Sequence, residues 1–337
     1  MSAKIKFAIV GCGHVGKRHA MMVDRHPAAE LVGMVDVNTD YETEIVSSFN
    51  VPFFSSIEDL LAANLTIDVV NICTPNSDHA PQSILALSHG CHVVCEKPMA
   101  LSKSACEEII FNALQASKYV FCVMQNRYSP PSVWLKELMS QGVLGKIFMV
   151  QINCYWNRDE RYYKTGGWKG VQKFDGGTLF TQFSHFIDIM YWLFGDITNI
   201  NAKFNDFNHQ DLTEFEDSGI VSFDFVKGGM GSINYSTAVW DTNLESSITI
   251  IGENGSVKVG GQYMNEVAYC HIKNYEMPTL EACSPANDYG YYKGSAANHQ
   301  FVIDNVVNTL LGNTVATTNA LEGLKVVEII ERIYSLK

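Results

Sequence analysis

Gly11-Cys12-Gly13-His14-Val15-Gly16 is the first place along this chain where residue type and spacing together suggest chemistry. The run follows the apolar segment Lys6-Phe7-Ala8-Ile9-Val10 and opens a helix-like stretch. Gly11 permits a tight turn, Gly13 removes the side chain that would block a pyrophosphate, and Gly16 lets helix and strand pack closely. The phosphates would then rest on the helix N-terminus, with His14 and Val15 beside them. Asp36 ends the next apolar run and lies 20 residues beyond Gly16. A carboxylate there accepts hydrogen bonds from an adenosine ribose and repels a 2′-phosphate, so the sequence predicts NAD over NADP.

Two more segments follow apolar runs in the same way. Thr74-Pro75-Asn76-Ser77-Asp78-His79 succeeds Asp68–Cys73, and Glu96-Lys97-Pro98 succeeds Cys91–Cys95. Both belong at the carboxyl edge of a parallel sheet, where ligands bind in open α/β folds. Asn76 or Ser77 is also suited to cap the next helix. The Lys97 ammonium can hold a hydroxyl and stabilise a developing alkoxide, with Pro98 stiffening the backbone beside it. The plain alternative is a surface lysine at a strand end.

The segment 177–194 predicts a buried helix, because nearly all of it is apolar. Thr178, Thr181, Gln182, His185 and Asp188 are spaced to share one face of it. Such a polar stripe must hydrogen-bond or face a wet cleft. His185 is its one group that titrates near neutral pH, hence the candidate general base. The alternative is a core histidine satisfied by Asp188. No metal site is expected: in a strand Cys91 and Cys95 face one way and His92 the other, so they would not converge as ligands.

The elements that must position these groups fall into two sets. Val- and Ile-rich runs at 6–10, 31–36, 68–73, 91–95 and 119–123 alternate with helical stretches such as 77–89 and 102–116. That predicts a doubly wound α/β domain over 1–124, with a parallel sheet covered on both faces. From about residue 145 strand-like segments follow one another instead. Runs 219–226 and 230–236, then 247–252 and 256–259, flank turn residues that include Asn254-Gly255. Residues 125–337 are therefore expected to form an α+β domain with an open-faced, mainly antiparallel sheet, with helices at 177–194, 298–311 and 319–335. The exposed sheet face predicts a homodimer or homotetramer.

Composition narrows the partners. The net charge of −12 argues against nucleic acid and anionic membrane surfaces. No stretch is long and apolar enough to span a bilayer. The start, Met1-Ser2-Ala3-Lys4, leads into a strand-like run without a signal-peptide core. Nine scattered cysteines in apolar runs read as reduced thiols of a cytoplasmic protein.

Taken together, these residues resemble the glucose–fructose oxidoreductase / inositol dehydrogenase / rhizopine-catabolism (Gfo/Idh/MocA) family. The motifs that carry the likeness are 11–16, Thr74-Pro75-Asn76 with His79, Glu96-Lys97-Pro98, Asn126-Arg127-Tyr128, the Gly-Gly to His185 and Asp188 stretch at 176–188, and Gly-Glu-Asn-Gly at 252–255. The resemblance implies a Rossmann domain joined to an open-faced sheet, and an oxidoreductase in which Lys97 and His185 flank the carbon that faces the nicotinamide. It also implies cofactor contacts from Thr74, Pro75, Asn76, His79, Glu96, Lys97 and Gln125, and substrate contacts from Arg127 and Tyr128. Members often carry Asp or Asn four residues before the histidine, where this chain has Thr181.

Within the family, Trp156-Asn157-Arg158, Tyr162-Tyr163, Gly167-Trp168-Lys169-Gly170, Thr181-Gln182 and Asn243-Leu244-Glu245-Ser246 resemble the branch that oxidises UDP-N-acetylglucosamine-type uronic acids at C3. Between 158 and 173 five bases meet two acids, a local excess suited to an anionic sugar. Arg158, Tyr163, Trp168, Lys169, Thr181 and Gln182 are the expected substrate contacts, alongside Lys97 and His185. The same loop is equally suited to a subunit interface. Three further functions stay open: an NAD-dependent inositol or monosaccharide dehydrogenase, a glycosidase or dehydratase that retains NAD, and a non-catalytic NAD-binding regulator.

Overall fold

The computed structural model describes residues 4–337 apart from Thr165 and Tyr291; the reading of Met1 to Ala3 lies outside the described residues. The chain divides into two compact units, Met1–Met124 with His299–Val327, and Gln125–Asn298 with Glu328–Lys337.

In the first unit, β1 (Ile5–Val10), β2 (Ala29–Val35), β3 (Phe53–Phe54), β4 (Val69–Ile72), β5 (His92–Cys95) and β6 (Val120–Cys122) form a sheet of order β3-β2-β1-β4-β5-β6. Every pairing is parallel. Phe7 to Val10 of β1 and all of β4 are buried, as continuous apolar strands between two helical layers should be. Helices His14–Arg25, His79–Ser88 and Lys103–Ala116 make the crossovers. The order reverses between β1 and β4, so Gly11 and Thr74 leave adjacent strand ends at the switch point where such sheets hold ligands.

The division falls after Met124, and 299–327 groups with the first unit. Edge strand β6 leaves backbone groups unpaired, and the returning chain satisfies them. Cys122 N donates to Thr318 O at 3.0 Å, Thr318 Oγ1 donates to Cys122 O at 2.6 Å, and Phe121 bridges to Asn319. Helix His299–Leu310 packs on His14–Arg25.

In the second unit, β7 (Ile147–Tyr155), β8 (Ile197–Asn205), β9 (Ser218–Phe225), β10 (Met230–Ser236), β11 (Glu245–Gly252), β12 (Gly255–Gly260) and β13 (Glu266–Ile272) form a sheet of order β13-β12-β11-β7-β10-β9-β8. All its pairs are antiparallel except β10 with β7. β9 shows the two-sided pattern: Val221, Phe223 and Phe225 are buried, while Ile220, Ser222 and Asp224 are exposed. The inner face packs on aromatic rings, with Trp156 to Phe183 at 5.3 Å, Phe183 to Tyr235 at 5.7 Å and Phe194 to Phe225 at 5.1 Å between centroids. β14 (Ala286–Asp288) and β15 (Lys293–Ala296) add a small hairpin.

The helix expected over 177–194 is broken into Thr178–Thr181 and Ser184–Phe194. Phe183 N donates back to Thr178 O, which closes the first turn. The polar residues are therefore not one continuous stripe. Among the described residues no helix is long and apolar enough to cross a membrane.

Candidate active site

The three glycines of the loop meet different surroundings. Gly11 has φ +94°, and a Cβ there would lie 2.6 Å from Cys73 O. A Cβ on Gly16 would lie 1.7 Å from Gly11 O. A Cβ on Gly13 would meet nothing within 4 Å. Two glycines thus serve close packing, and the third keeps a space open. Helix His14–Arg25 begins at Gly13 without a side-chain cap, so its first N–H groups are suited to an anion. Asp36 Oδ2 accepts from Cys12 N at 2.6 Å and Oδ1 from Asn38 N at 2.8 Å, which fixes the carboxylate against the loop. Burial and Asp36 push the Cys12 thiol up to about 12, so it stays protonated. A dinucleotide fits this cradle: an open glycine, bare helix N–H groups and a braced ribose-side carboxylate.

His79 braces the neighbouring loops. Its Nε2 lies 3.0 Å from Thr74 O and its Nδ1 2.6 Å from Pro98 O, tying the 74–79 segment to the turn after Lys97. Burial lowers its pKa. Neither Asn76 nor Ser77 caps helix His79–Ser88; residues 76–78 form a 3-10 turn and Ser77 Oγ bonds to Asp78. Thr74 Oγ1 donates to Gln82 Oε1 at 2.7 Å.

Glu96 sits in a buried cluster that the sequence did not reveal. His19 Nε2 lies 3.0 Å and His299 Nε2 3.7 Å from Glu96 Oε1. Glu96 Oε2 accepts from Lys97 N at 3.2 Å. Burial pushes Glu96 up, but the hydrogen bond from His19, reinforced by the surrounding His19, His299 and Lys97 side chains, outweighs it and holds the group down at about 2. Burial lowers His299 to about 3, so it is neutral. One side-chain nitrogen or oxygen from each of these three residues lies within 4.8 Å of the other two. Asn71 Nδ2 approaches His19 Nδ1 at 3.0 Å, an arrangement that places the ring proton on Nε2, facing the carboxylate.

In the second unit, the 3-10 turn Gln125–Tyr128 lies against helix Ser184–Phe194. Gln125 Nε2 is 3.1 Å from His185 Nε2 and donates to Ser295 Oγ at 3.0 Å. Arg127 Nε donates to Asp188 Oδ2 at 2.8 Å, and its Nη2 bonds to Oδ1 of the same carboxylate. Arg127 and Asp188 thus form a buried bidentate pair. Thr181 Oγ1 bonds to Asp175 Oδ1, and Asp175 Oδ2 accepts from Gly170 N at 2.9 Å.

The basic loop is organised differently from its charge count. Arg158 is 1% exposed. Its N–H groups go to Gln182 Oε1 at 2.7 Å, Asn157 O, Asn243 Oδ1 and Lys293 O, while Trp156, Tyr162 and Tyr292 present their rings within 5.1 Å. Burial lowers its pKa against the favourable influence of those tyrosines. Arg161 pairs with Asp159 and Asp241. Tyr163 is buried in an aromatic cluster with Tyr162 and Phe215, and Gln182 Nε2 donates to Tyr162 Oη at 2.8 Å. Arg158, Tyr163 and Gln182, expected as substrate contacts, are thus buried in this network. Lys169, over the Tyr162 ring at 3.9 Å, and Trp168 are partly exposed. Ser295, Asp175 and His19 carried no sequence signal beyond residue type.

Residues 5–123 match the family model for the GFO/IDH/MocA oxidoreductases, described as an NAD-binding Rossmann fold, and residues 133–258 match the GFO/IDH/MocA C-terminal domain. The chain belongs to the GFO/IDH/MocA family. It is an oxidoreductase, and its cofactor is NAD. Among solved structures, this GFO/IDH/MocA chain is 32% identical to the WlbA dehydrogenase of Chromobacterium violaceum in complex with NADH and UDP-GlcNAcA, covering 100% of this chain and 94% of that one with a TM-score of 0.89. It is likewise 32% identical to the WlbA dehydrogenase of Bordetella pertussis, also bound to NADH and UDP-GlcNAcA, covering 99% and 96% at the same TM-score of 0.89. Among curated proteins, the D-glucoside 3-dehydrogenase of Escherichia coli is 25% identical over 99% of this chain and 95% of its own length.

Proposed function

We propose that this NAD-dependent oxidoreductase oxidises a secondary hydroxyl of a sugar, and that the sugar is a UDP-N-acetylhexosamine or its uronate, oxidised at C3. The full-length likeness to the two WlbA dehydrogenases, both holding NADH and UDP-GlcNAcA, carries this reading. The sequence stretches that resemble that branch include Thr181-Gln182, and these residues bond to Asp175 and to Arg158 and Tyr162.

Bound NAD supplies a hydride acceptor. The rest falls to the chain's own residues. The Gly13 space and the helix N–H groups take the pyrophosphate, and Asp36 takes the adenosine ribose. His185 accepts the proton of the sugar hydroxyl, and the Lys97 ammonium offsets negative charge growing on that oxygen. The Glu96 carboxylate anchors the Lys97 backbone at 3.2 Å and keeps a negative charge beside its ammonium. Tyr128, Trp168 and Lys169 complete the sugar contacts in this reading.

The decisive experiment combines native mass spectrometry with turnover on UDP-sugars, glucosides and polyols. Reduction of NAD by a UDP-N-acetylhexosamine uronate, abolished in Lys97→Ala and His185→Ala while NAD binding survives, is the expected result. Full turnover in either variant removes that residue from the chemistry. A second reading, oxidation of a simple glucoside, is favoured by the full-length match to D-glucoside 3-dehydrogenase. Inhibition by UDP separates the two, since only the first predicts it.

We further propose a homodimer or homotetramer formed through the open face of the second sheet, where Met149, Ile220 and Met230 are exposed. Light scattering that returns a monomer refutes this. The nine free thiols support a cytoplasmic setting.

A further inference from the structure

Glu96 is a carboxylate shared by three elements of the first unit. It follows the end of β5, His19 lies in the second turn of helix His14–Arg25, and His299 opens helix His299–Leu310. Glu96, His19 and His299 are 8%, 1% and 3% exposed. Both oxygens of the carboxylate are engaged. Oε1 lies 3.0 Å from His19 Nε2, and Oε2 accepts from Lys97 N at 3.2 Å. His299 Nε2 stands off from Oε1 at 3.7 Å, too far for a hydrogen bond, and its ring meets the His19 ring edge-on at 5.8 Å between centroids.

His19 is oriented from behind. Asn71 Nδ2, on β4, approaches His19 Nδ1 at 3.0 Å. An amide nitrogen donates, so Nδ1 accepts and the ring proton sits on Nε2, toward Glu96. The other titratable groups around the carboxylate carry little charge. His299 is neutral, because burial lowers it to about 3. Burial also lowers the His79 imidazole and raises the Cys73 and Cys95 thiols, so these are uncharged too. Lys97 acts on Glu96, and Lys97 and Arg18 act on His299, as the cations of the cluster. A carboxylate this deep needs hydrogen bonds in place of the water it has lost.

We infer that His19 is a positioning residue for Lys97 and acts through Glu96. Its Nε2–H fixes one carboxylate oxygen, and the other oxygen fixes the backbone nitrogen of the lysine. The helix whose N-terminus is offered to the pyrophosphate and the turn that bears the ammonium are thereby joined by two hydrogen bonds in series. Loss of the imidazole leaves a buried carboxylate short of a donor, and it then takes up a proton at higher pH. A neutral carboxyl in that place holds the Lys97 backbone more weakly and no longer balances the ammonium. The inference rests on the reading of Lys97 as the group that offsets charge on the sugar oxygen.

The test uses the full chain saturated with NAD and labelled at the glutamate carboxyl carbons. NMR follows the Glu96 signal, identified by its loss in Glu96→Gln, from mildly alkaline to mildly acidic pH. In the parent the signal should keep its ionised position throughout. In His19→Asn the shorter amide reaches only the place of Nδ1 and leaves Glu96 without its donor, so a titration midpoint of about 5 or above should enter the range. Turnover of UDP-GlcNAcA should fall about tenfold or more in kcat, because the lysine turn loses its fixed placement, and its acid limb should move up. In His19→Gln, whose amide reaches the place of Nε2, the Glu96 signal should return to its ionised position and kcat to within about threefold of the parent. A Glu96 signal that behaves alike in the parent and His19→Asn overturns the inference. So does an unchanged kcat in His19→Asn, or a His19→Gln no better than His19→Asn, which marks a role in packing alone. Should His19→Asn fail to fold, His19→Leu takes its place with the same expectations. Full turnover in Lys97→Ala defeats the Lys97 reading and the inference with it, whereas an inactive Lys97→Ala beside an unmoved Glu96 signal defeats the inference alone.

Discussion

Replacing Gly13 with alanine separates cofactor binding from folding more cleanly than any other change in the first unit. Gly13 has φ −68° and ψ −171°, a conformation alanine adopts without strain, and its added Cβ would touch nothing within 4 Å. Folding stability should therefore hold or rise by about 0.4–1 kcal/mol, because alanine restricts the unfolded chain. The same methyl group would occupy space needed by a pyrophosphate drawn to the helix N-terminus. Displacing that anion sacrifices an interaction of up to about 2 kcal/mol, or up to about thirtyfold in affinity. Gly16→Ala is the contrasting control. Its Cβ would lie 1.7 Å from Gly11 O, so backbone must move and stability should fall. The assay pairs thermal unfolding with calorimetric titration of NAD. An unaltered dissociation constant in Gly13→Ala would refute the placement of the pyrophosphate, and a stable Gly16→Ala would refute the packing argument.

Asp36→Ser should relax discrimination against NADP, since it removes the charge facing a 2′-phosphate; a titration comparing both coenzymes reads this, and an unchanged preference contradicts it. Arg127→Met should lower stability by about 3–5 kcal/mol by leaving Asp188 charged and buried, measured by denaturant unfolding. Acid should also destabilise the fold. His299 titrates near 3 when folded but near 6.5 when unfolded, so its contribution is complete above about 6.5 and declines as pH falls toward 3, by up to about 1.4 kcal/mol per pH unit. His299→Phe should flatten that decline in urea unfolding followed from pH 7 to pH 4, and an unchanged slope would exclude the residue as its source.

The parts of this molecule that were legible in the sequence are those fixed by local rules. Parallel strands such as Val69–Ile72 are nearly continuous in apolar residues, and the glycine spacing answers to contacts within one strand–turn–helix unit. β7 and β8 were harder to see, because exposed Phe148 and Met149 blur the alternation of one and polar residues dominate the other. The site was legible in residue identity and less so in role. Gln125, expected at the cofactor, also meets His185, a pairing that spacing along the chain does not announce. The basic loop suggested free positive charge. Arg161 is met by Asp241, 80 residues away, and Arg158 by rings and carbonyls from four segments. The break in the helix over 177–194 follows backbone bonds that an unbroken apolar run cannot announce. Partners distant along the chain leave no mark on composition or periodicity.

The return of residues 299–327 to the first unit has a consequence during synthesis. A ribosome that has finished β6 has not yet made the segment that pairs with Cys122 and Phe121. It must first translate the whole of the second unit's main segment, roughly ten to a few tens of seconds at the usual rate of about 5–20 residues per second. For that interval the nascent coenzyme domain has an uncovered edge. Excising residues 1–124 as an isolated fragment should accordingly yield an aggregation-prone product, whereas joining 299–327 to it by a short linker should restore a soluble one.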